Sequence, residues 1–476
     1  MLVCVCLKNG KATGSDEIVA ELVKNGGQVM VDWLWELLRE VWTTKRVPQD
    51  WKNAILIPLH KKQSRKDSNN YRGIALLSVP GKVLSLILHN RLQAVIEPQL
   101  LEAQCGFRKG RGTTDQIWVT RQIIERAAEC NTPAHLCFID LTKAYDSVNR
   151  DALIAVLRNY KVPSHLVDII SAMYTTNTWC QVRTTEGASE KFKVVSGVRQ
   201  ACILSPLPFN CFMDRVLREA LKMTPGGWRI EYTTTEGLIL SYGEKTPCTA
   251  DIQNIQYADD LTLVAESASE LQAMVSTLDR ACTRWGMTIN ATKTKTTTVG
   301  KEEENEVTIA LRGNPLEAVE SFSYLGNEVW KNAKVGGDVG TRLEKASRVY
   351  QKWRKEVFWS RSVSKRTKLH VFRVMVMPVL LYGAETWAVT QQELRKLHAF
   401  QMKCLREIVG VTLWDRRRNV DILEETGELP IEEQLRHKRL QWFSHLQRMP
   451  ENRPQKQVLR CRPHGRKRKP GGTSQR

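Results

Sequence analysis

A chain of 476 residues, 42% hydrophobic and 26% charged, is long and apolar enough to fold as more than one packed unit. Its 71 Lys and Arg against 51 Asp and Glu leave a net charge of +20, which points to nucleic acid or an anionic membrane as partner. Membrane insertion, secretion, disulfide scaffolds and zinc ribbons are set aside: the apolar stretch around 374–384 is far below the ~18–20 residues that span a bilayer, no signal-peptide cleavage site follows the start, and twelve scattered cysteines make no paired C-x-x-C framework.

Taken in chain order, residues 1–50 read as an N-terminal helical extension. Ser15 is placed to cap a first helix carrying Ile18, Leu22 and Val23, and 29–41 forms a second with Trp33, Leu34, Leu37 and Leu38 on one stripe. From 51 to 333, short β-type runs alternate with helices, so the expected class is α+β. Strands are expected at 54–59, 135–140, 179–183, 255–258 and 261–265, and helices at 81–96, 114–129, 150–160 and 270–285. Pro225, Gly226 and Gly227 open a Thr- and Gly-rich surface hairpin. Strand signals stop near 335, and 334–450 reads as helical, with helices at 342–358, 365–377, 391–409 and 431–448. Residues 451–476, with Arg466, Lys467, Arg468 and Lys469 among Pro and Gly, read as a flexible basic tail.

Two acidic positions carry the chemistry. The run Leu136-Cys137-Phe138-Ile139 fits a buried strand and ends on Asp140. In Tyr257-Ala258-Asp259-Asp260, two adjacent carboxylates occupy the tight turn of a hairpin. Buried strands exclude acids, so acids at their ends need a reason. If the strands are neighbours, the carboxylates meet and repel one another unless cations are present. Two Mg²⁺ ions about 3.5–4 Å apart, shared with substrate phosphates, would supply that charge. Either motif alone reads equally well as an ordinary turn or strand cap; together, in a basic chain, they favour a metal site.

Tyr257-Ala258-Asp259-Asp260 and Phe138-Ile139-Asp140-Leu141-Thr142-Lys143-Ala144-Tyr145-Asp146 resemble two central motifs of reverse transcriptases. Further segments follow in that family's order: Lys11 to Asp16, Asn70-Tyr71-Arg72-Gly73, Gln104-Cys105-Gly106-Phe107-Arg108, Ser196-Gly197-Val198-Arg199-Gln200, Trp285-Gly286-Met287-Thr288-Ile289-Asn290 and Phe322-Ser323-Tyr324-Leu325-Gly326. With Leu381-Tyr382-Gly383-Ala384 and Arg439-Leu440-Gln441-Trp442-Phe443-Ser444-His445, the chain is most similar to non-LTR (LINE-type) retrotransposon enzymes of the RTE/BovB clade, without their upstream endonuclease domain.

The resemblance implies a right-hand polymerase: fingers, a palm with a ferredoxin-like antiparallel sheet, a helical thumb and a C-terminal helical region. It implies an RNA template, a DNA primer, dNTPs, two Mg²⁺ ions, no membrane, and an intracellular place in nucleus or cytoplasm. Asp140, Asp259 and Asp260 would hold the metals. Arg72, assisted by Lys61 and Lys62, would grip the triphosphate, since a guanidinium suits bidentate phosphate contact. Tyr145 matches a steric gate against the ribose 2′-hydroxyl, and Gln200 a residue touching the template–nucleotide pair. Lys293, ahead of Lys295, would protonate the leaving pyrophosphate. Phe322, Tyr324, Leu325 and Gly326 match a primer-grip hairpin, although the aromatics fit a core equally well. Departures are Ala201 and Pro208, where the family has Gly and Leu, and Ser444, where it has Gly. Alanine resists positive φ, and a proline inside a helix costs about 3 kcal/mol or more. The chain therefore looks like a partly decayed copy. A catalytically dead nucleic-acid-binding relic stays open beside the enzyme, as do an RNA-dependent RNA polymerase and a group II intron maturase-like protein.

Overall fold

The structure is a computed structural model, and it describes residues 7–61, 64–174, 178–224, 226–235, 245–300 and 308–465. Its principal elements begin with helix α1 (Gly27–Thr44), strands β1 (Ala54–His60) and β2 (Tyr71–Leu76), helices α2 (Val79–Ile96) and α3 (Thr113–Cys130), and strand β3 (Ala134–Ile139). Helices α4 (Arg150–Asn159) and α5 (Ser164–Tyr174), strand β4 (Trp179–Thr184) and helix α6 (Pro206–Lys222) follow. Next come β5 (Trp228–Thr235), β6 (Lys245–Ile252), β7 (Asn254–Tyr257), β8 (Asp260–Ala265), helix α7 (Ala268–Arg284) and β9 (Lys295–Val299). The hairpin β10 (Ser321–Tyr324) and β11 (Asn327–Trp330) leads to helices α8 (Gly336–Lys352), α9 (Gln391–Val409), α10 (Asn419–Thr426) and α11 (Ile431–Arg448). This is the mixed helix-and-sheet content that the sequence pattern predicts.

Strand β3 organises the main sheet. It lies between β9 and β8, with β7 beyond β8 and the short edge Glu317–Ala318 beyond β9. All six of its residues are buried. Successive side chains of a strand point to opposite faces, and here both faces are covered. Leu136 and Phe138 join Ile117 and Ile123 of α3, while Cys137 and Ile139 join the cluster containing Phe209 and Phe212 of α6 and Leu278 of α7. Burial on both sides explains why the sequence there is a continuous apolar run and not an alternating one. A second sheet places β1 between antiparallel β2 and parallel β4.

The helices after residue 335 are fastened to this body through a buried charge. Asp338, fully buried, accepts hydrogen bonds from Arg121 Nη2 (2.7 Å), Trp387 Nε1 (2.7 Å) and Glu328 N (3.0 Å). Removing one partner of such a pair costs about 3–5 kcal/mol, because the other charge is left buried and uncompensated.

Several expectations are corrected. The helix expected after Ser15 is a short one, Ala20–Asn25, ahead of α1, because Glu17 sits at φ +56° and breaks the turn. On α1 only Leu34 and Val41 are buried, and Trp33 and Leu37 of the expected stripe are exposed. The helix expected over 365–377 contains a π-helical turn, Phe372–Val376. Pro378 lies just beyond and cannot serve the carbonyl four residues earlier, and a π turn accommodates that lost bond. The tail expected from 451 is folded as far as 465. Pro454–Gln457 is helical, Trp118 Nε1 donates to Gln455 O (3.1 Å), and Val458 and Cys461 are buried against α3 and β5. Its basic run, 466–469, lies outside the described residues, as does Pro225.

Ala201 sits at φ +71°, the left-handed region that suits the family's glycine. Pro208 behaves differently. It is the third residue of α6, where the N–H has no intrahelical acceptor in any case, so the expected loss of about 3 kcal/mol does not arise. Ala201→Gly should therefore stabilise the fold by roughly 1 kcal/mol, whereas Pro208→Leu should change it by less than about 0.5 kcal/mol. Urea denaturation of the two variants measures both, and a larger gain from Pro208→Leu would contradict this assignment.

Candidate active site

The register of the main sheet brings the acids together. Leu261 of β8 pairs with Ile139 of β3, so the next residue on each strand, Asp260 and Asp140, leaves the sheet at the same edge. On the other side of β8, Tyr257 pairs with Asp260, which makes Ala258 and Asp259 the two-residue turn of the hairpin. Ala258 adopts φ +56° there. Positive φ at the first turn residue matches strand twist, but it strains any residue with a Cβ.

That strained turn is held from behind. The buried Gln104 side chain accepts from Ala258 N (2.9 Å) and from Gly106 N (2.7 Å), and Gln256 Nε2 donates to Ala258 O (3.0 Å). Gly106 lies against the same peptide: a Cβ there would stand 2.4 Å from Ala258 N. In the sequence, Gln104 and Gly106 stand out only as parts of a motif, with no task of their own. The sequence signal is only a glutamine two residues before a glycine; that the glutamine is buried is a finding of the structure.

Burial raises the carboxyl pKa of all three acids. At Asp260 the charges of Asp259 and Asp140 add to it and push the group up to about 6. At Asp259 a backbone hydrogen bond and the Arg72 guanidinium oppose burial, while Asp140 reinforces it. At Asp140 the opposing charges are Lys293 and Lys61. Cations already surround the cluster, therefore, and they come from two directions. Lys61 and Arg72 belong to the β1–β2 arm, where Arg72 pairs with Leu59 across the strands. Lys293 Nζ lies 3.9 Å from Asp140 Oδ2, on a turn whose N–H groups at Thr292 and Lys293 donate to Asn290 Oδ1. Lys295 is instead engaged by Glu317 and by Thr292 O. Lys62 lies outside the described residues.

Tyr145 stacks on Phe209 with ring centroids 4.1 Å apart, and its hydroxyl has no hydrogen-bond partner among the described residues. Burial, then the neighbouring charge of Asp259, keeps that phenol protonated. The segment after Gly197 is bound to the same turn: Val198 N donates to Tyr145 O (2.8 Å) and Gln200 Nε2 to Asp146 Oδ1 (3.2 Å).

The 322–326 hairpin is close by but faces another way. Phe322 stacks on Phe138 at 4.3 Å, and Tyr324 is buried beside it. The two aromatics therefore pack against the core, the alternative that the sequence left open, and anchor the hairpin to β3. Its turn, Leu325 and Gly326, is gripped from the helical side, with Tyr382 Oη donating to Leu325 O (3.0 Å) and Arg342 to Gly326 O.

Among the described residues, no three His, Cys, Asp or Glu side chains form a ready-made metal cage. The donor set still fits a divalent cation. Hard cations of the magnesium type take one or two carboxylates and complete their shell with water and substrate phosphate. The clustered acids, raised in pKa by burial and by one another, are what such a cation would relieve.

Comparison with known proteins shows a family. The family described as reverse transcriptase (RNA-dependent DNA polymerase), whose members in general use divalent metal ions, matches residues 59–329. The probable RNA-directed DNA polymerase from transposon BS of Drosophila melanogaster is 25% identical over 79% of this chain and 41% of its own length. The RNA-directed DNA polymerase from mobile element jockey of the same species is 22% identical over 86% and 43%. The retrovirus-related Pol polyprotein from type-1 retrotransposable element R2 of Nasonia vitripennis is 29% identical over 53% and 23%. The chain thus spans less than half the length of these relatives.

Gly106→Ala should destabilise the protein by about 1–3 kcal/mol, since the neighbour it meets is backbone and cannot swing aside. Gly340→Ala, in a helix with nothing within 4 Å, should instead gain roughly 0.5–1 kcal/mol. Chemical denaturation of both distinguishes crowding at Ala258 from a general intolerance of added methyl groups. A second expectation concerns pH. The folded carboxyl of Asp260 binds its proton more tightly than the unfolded one, so this residue's contribution to stability falls as pH rises from about 4 to about 6. Although protein crowds one side of the Asp260 carboxyl and raises its pKa, the residue keeps contact with solvent, which screens part of the repulsion. Without divalent metal, Asp260→Asn should melt higher than the parent at pH 7–8, with the gap closing toward pH 4. Melting curves in chelator across that range provide the check, and a gap independent of pH would contradict the repulsion.

Proposed function

We infer the activity from family and site together: the chain belongs to the reverse transcriptase family, and it acts as an RNA-directed DNA polymerase of the non-LTR retrotransposon type. One observation carries the reading. Asp140 and the Asp259–Asp260 pair share one sheet edge, ringed by Lys293, Lys61 and Arg72, with an aromatic ring at Tyr145 close enough to feel the charge of Asp259. The substrates proposed are an RNA template, a DNA primer with a free 3′-hydroxyl, and dNTPs. In the right-hand description, the β1–β2 arm reads as fingers, the β7–β8–β3–β9 sheet as palm, and the helices after 334 as thumb and C-terminal region. The C-terminal motifs around Tyr382 and Trp442 support placement in the RTE/BovB clade.

Each residue then has a task. Asp140, Asp259 and Asp260 would hold divalent metal, proposed as two Mg²⁺ ions. Bound there with substrate phosphates, the ions supply positive charge where negative charge develops at the reacting phosphoryl group. Arg72 and Lys61 hold the incoming triphosphate from the arm above. Lys293 is placed to give a proton to departing pyrophosphate. Tyr145 lies under the sugar, and Gln200, tied to Asp146, borders the new base pair. The strain at Ala201 favours a slowed copy over an unimpaired one. Tyr145 counts against an RNA-dependent RNA polymerase, since a ring there leaves no room for a 2′-hydroxyl.

Primer extension on an RNA template with Mg²⁺ tests the assignment. Asp140→Asn or Asp259→Asn should lower the rate by at least about 10²–10³-fold, and extension at the parent rate would remove the acids from the site. Since the Tyr145 hydroxyl has no partner, Tyr145→Phe should keep the preference for dNTP over rNTP. Tyr145→Ala should collapse that preference, with some loss of rate from poorer positioning. The ratio of kcat/KM values for the two nucleotides decides it, and an unchanged ratio in Tyr145→Ala would make the ring a packing residue only.

A further inference from the structure

One end of the C-terminal helical region presents aromatic rings and guanidinium groups that the polymerase reading does not use. Helix α9 stops at Gly410, and the following turn is built to a fixed shape. Thr412 donates from both N (2.6 Å) and Oγ1 (2.8 Å) to Asp415 Oδ2, and Arg416 N donates to Leu413 O (3.2 Å). At the tip of this turn Trp414 is 92% exposed and Leu413 78%. An indole so fully in water forgoes the stabilisation that burial of a large apolar side chain brings. A structured turn that holds it outward is a surface for something to cover.

Its surroundings select the occupant. Arg417 pairs with Glu425 (2.6 Å), which also binds Lys365 (2.5 Å), and Arg418 pairs with Asp421, but Arg416 has no acidic partner among the described residues. Asp415 is occupied by Thr412. Beside the last turn of α9, the half-exposed Trp359 carries the Arg354 guanidinium over its ring at 4.0 Å, and both are tied to Glu407. Those rings and cations are already engaged with one another; the exposed Trp414 indole beside the Arg416 guanidinium is what remains, and the two suit a polyanion with flat faces to stack. A duplex presents phosphate rails and keeps its bases stacked internally, whereas a single strand offers both a phosphate and an unpaired base.

We propose that the turn around Trp414 and Arg416 binds single-stranded nucleic acid, an unpaired base stacking on Trp414 and a phosphate meeting Arg416. This contact is separate from the carboxylate site and does not depend on polymerase activity.

Fluorescence anisotropy with the full chain tests it, using a labelled single-stranded RNA of mixed sequence and a fully paired duplex of the same length. Trp414→Ala should weaken single-strand binding by on the order of 5- to 100-fold, leave duplex affinity within twofold, and leave the melting temperature unchanged because the side chain is already in water. Trp414→Phe should recover most of the loss, since a ring remains. Arg416→Ala should weaken the single strand and lower the magnitude of its salt dependence by about one phosphate contact. Unchanged single-strand affinity in Trp414→Ala would overturn the proposal. So would an equal loss on single strand and duplex, or a change confined to self-association of the protein, which would make the turn a protein contact.

Discussion

The register between β3 and β8 is the constraint on which the rest depends. Pairing Ile139 with Leu261 places like charges side by side at a sheet edge, in surroundings that raise the cost of keeping them ionised. A shift of one residue would turn every side chain of β8 to the opposite face and move its acid away from Asp140. Burial of β3 on both faces keeps that register from slipping. What surrounds the edge then manages the repulsion: Lys293 from the turn before β9, Lys61 and Arg72 from the β1–β2 arm.

Local strain is handled in the same way. Ala258 holds a positive φ because Gln104, Gly106 and Gln256 surround its peptide so closely that another conformation has nowhere to go. A strained residue persists when its neighbours over-determine it. Ala201 is also strained, yet its neighbours include Gln200, whose side chain reaches back to Asp146. Relief at Ala201 would improve the fold without touching the acids, and the two positions therefore have opposite meanings for function.

The main sheet and the C-terminal helices are one mechanical body at the place where the 322–326 hairpin lies between them. Phe322 and Tyr324 bind it to β3, Arg342 and Tyr382 hold its turn, and Asp338 ties Arg121, Glu328 and Trp387 into one buried hydrogen-bonded group. Thr113 at the start of α3 completes the link with Tyr382 (2.9 Å). These contacts hold the hairpin against both the main sheet and the helical region.

The sequence by itself determined the elements and the chemistry they carry. Continuous apolar runs marked β3 and β8, the acids stood at their ends, and amphipathic spacing marked 391–409 and 431–448 with the bounds the structure has. These signals are local: a period of two or 3.6 residues can be read within one segment. Pairing is not local, and there tertiary structure decided. Gln104 meets Ala258 across 154 residues, and Lys293 meets Asp140 across a similar span while Lys295 turns to Glu317. Phe322 and Tyr324 turned inward because Phe138 offered them a face, and 454–463 folded because α3 and β5 left an apolar groove for Val458 and Cys461. None of these partners is marked within its own segment, and only the order of strands and helices in space brings them together.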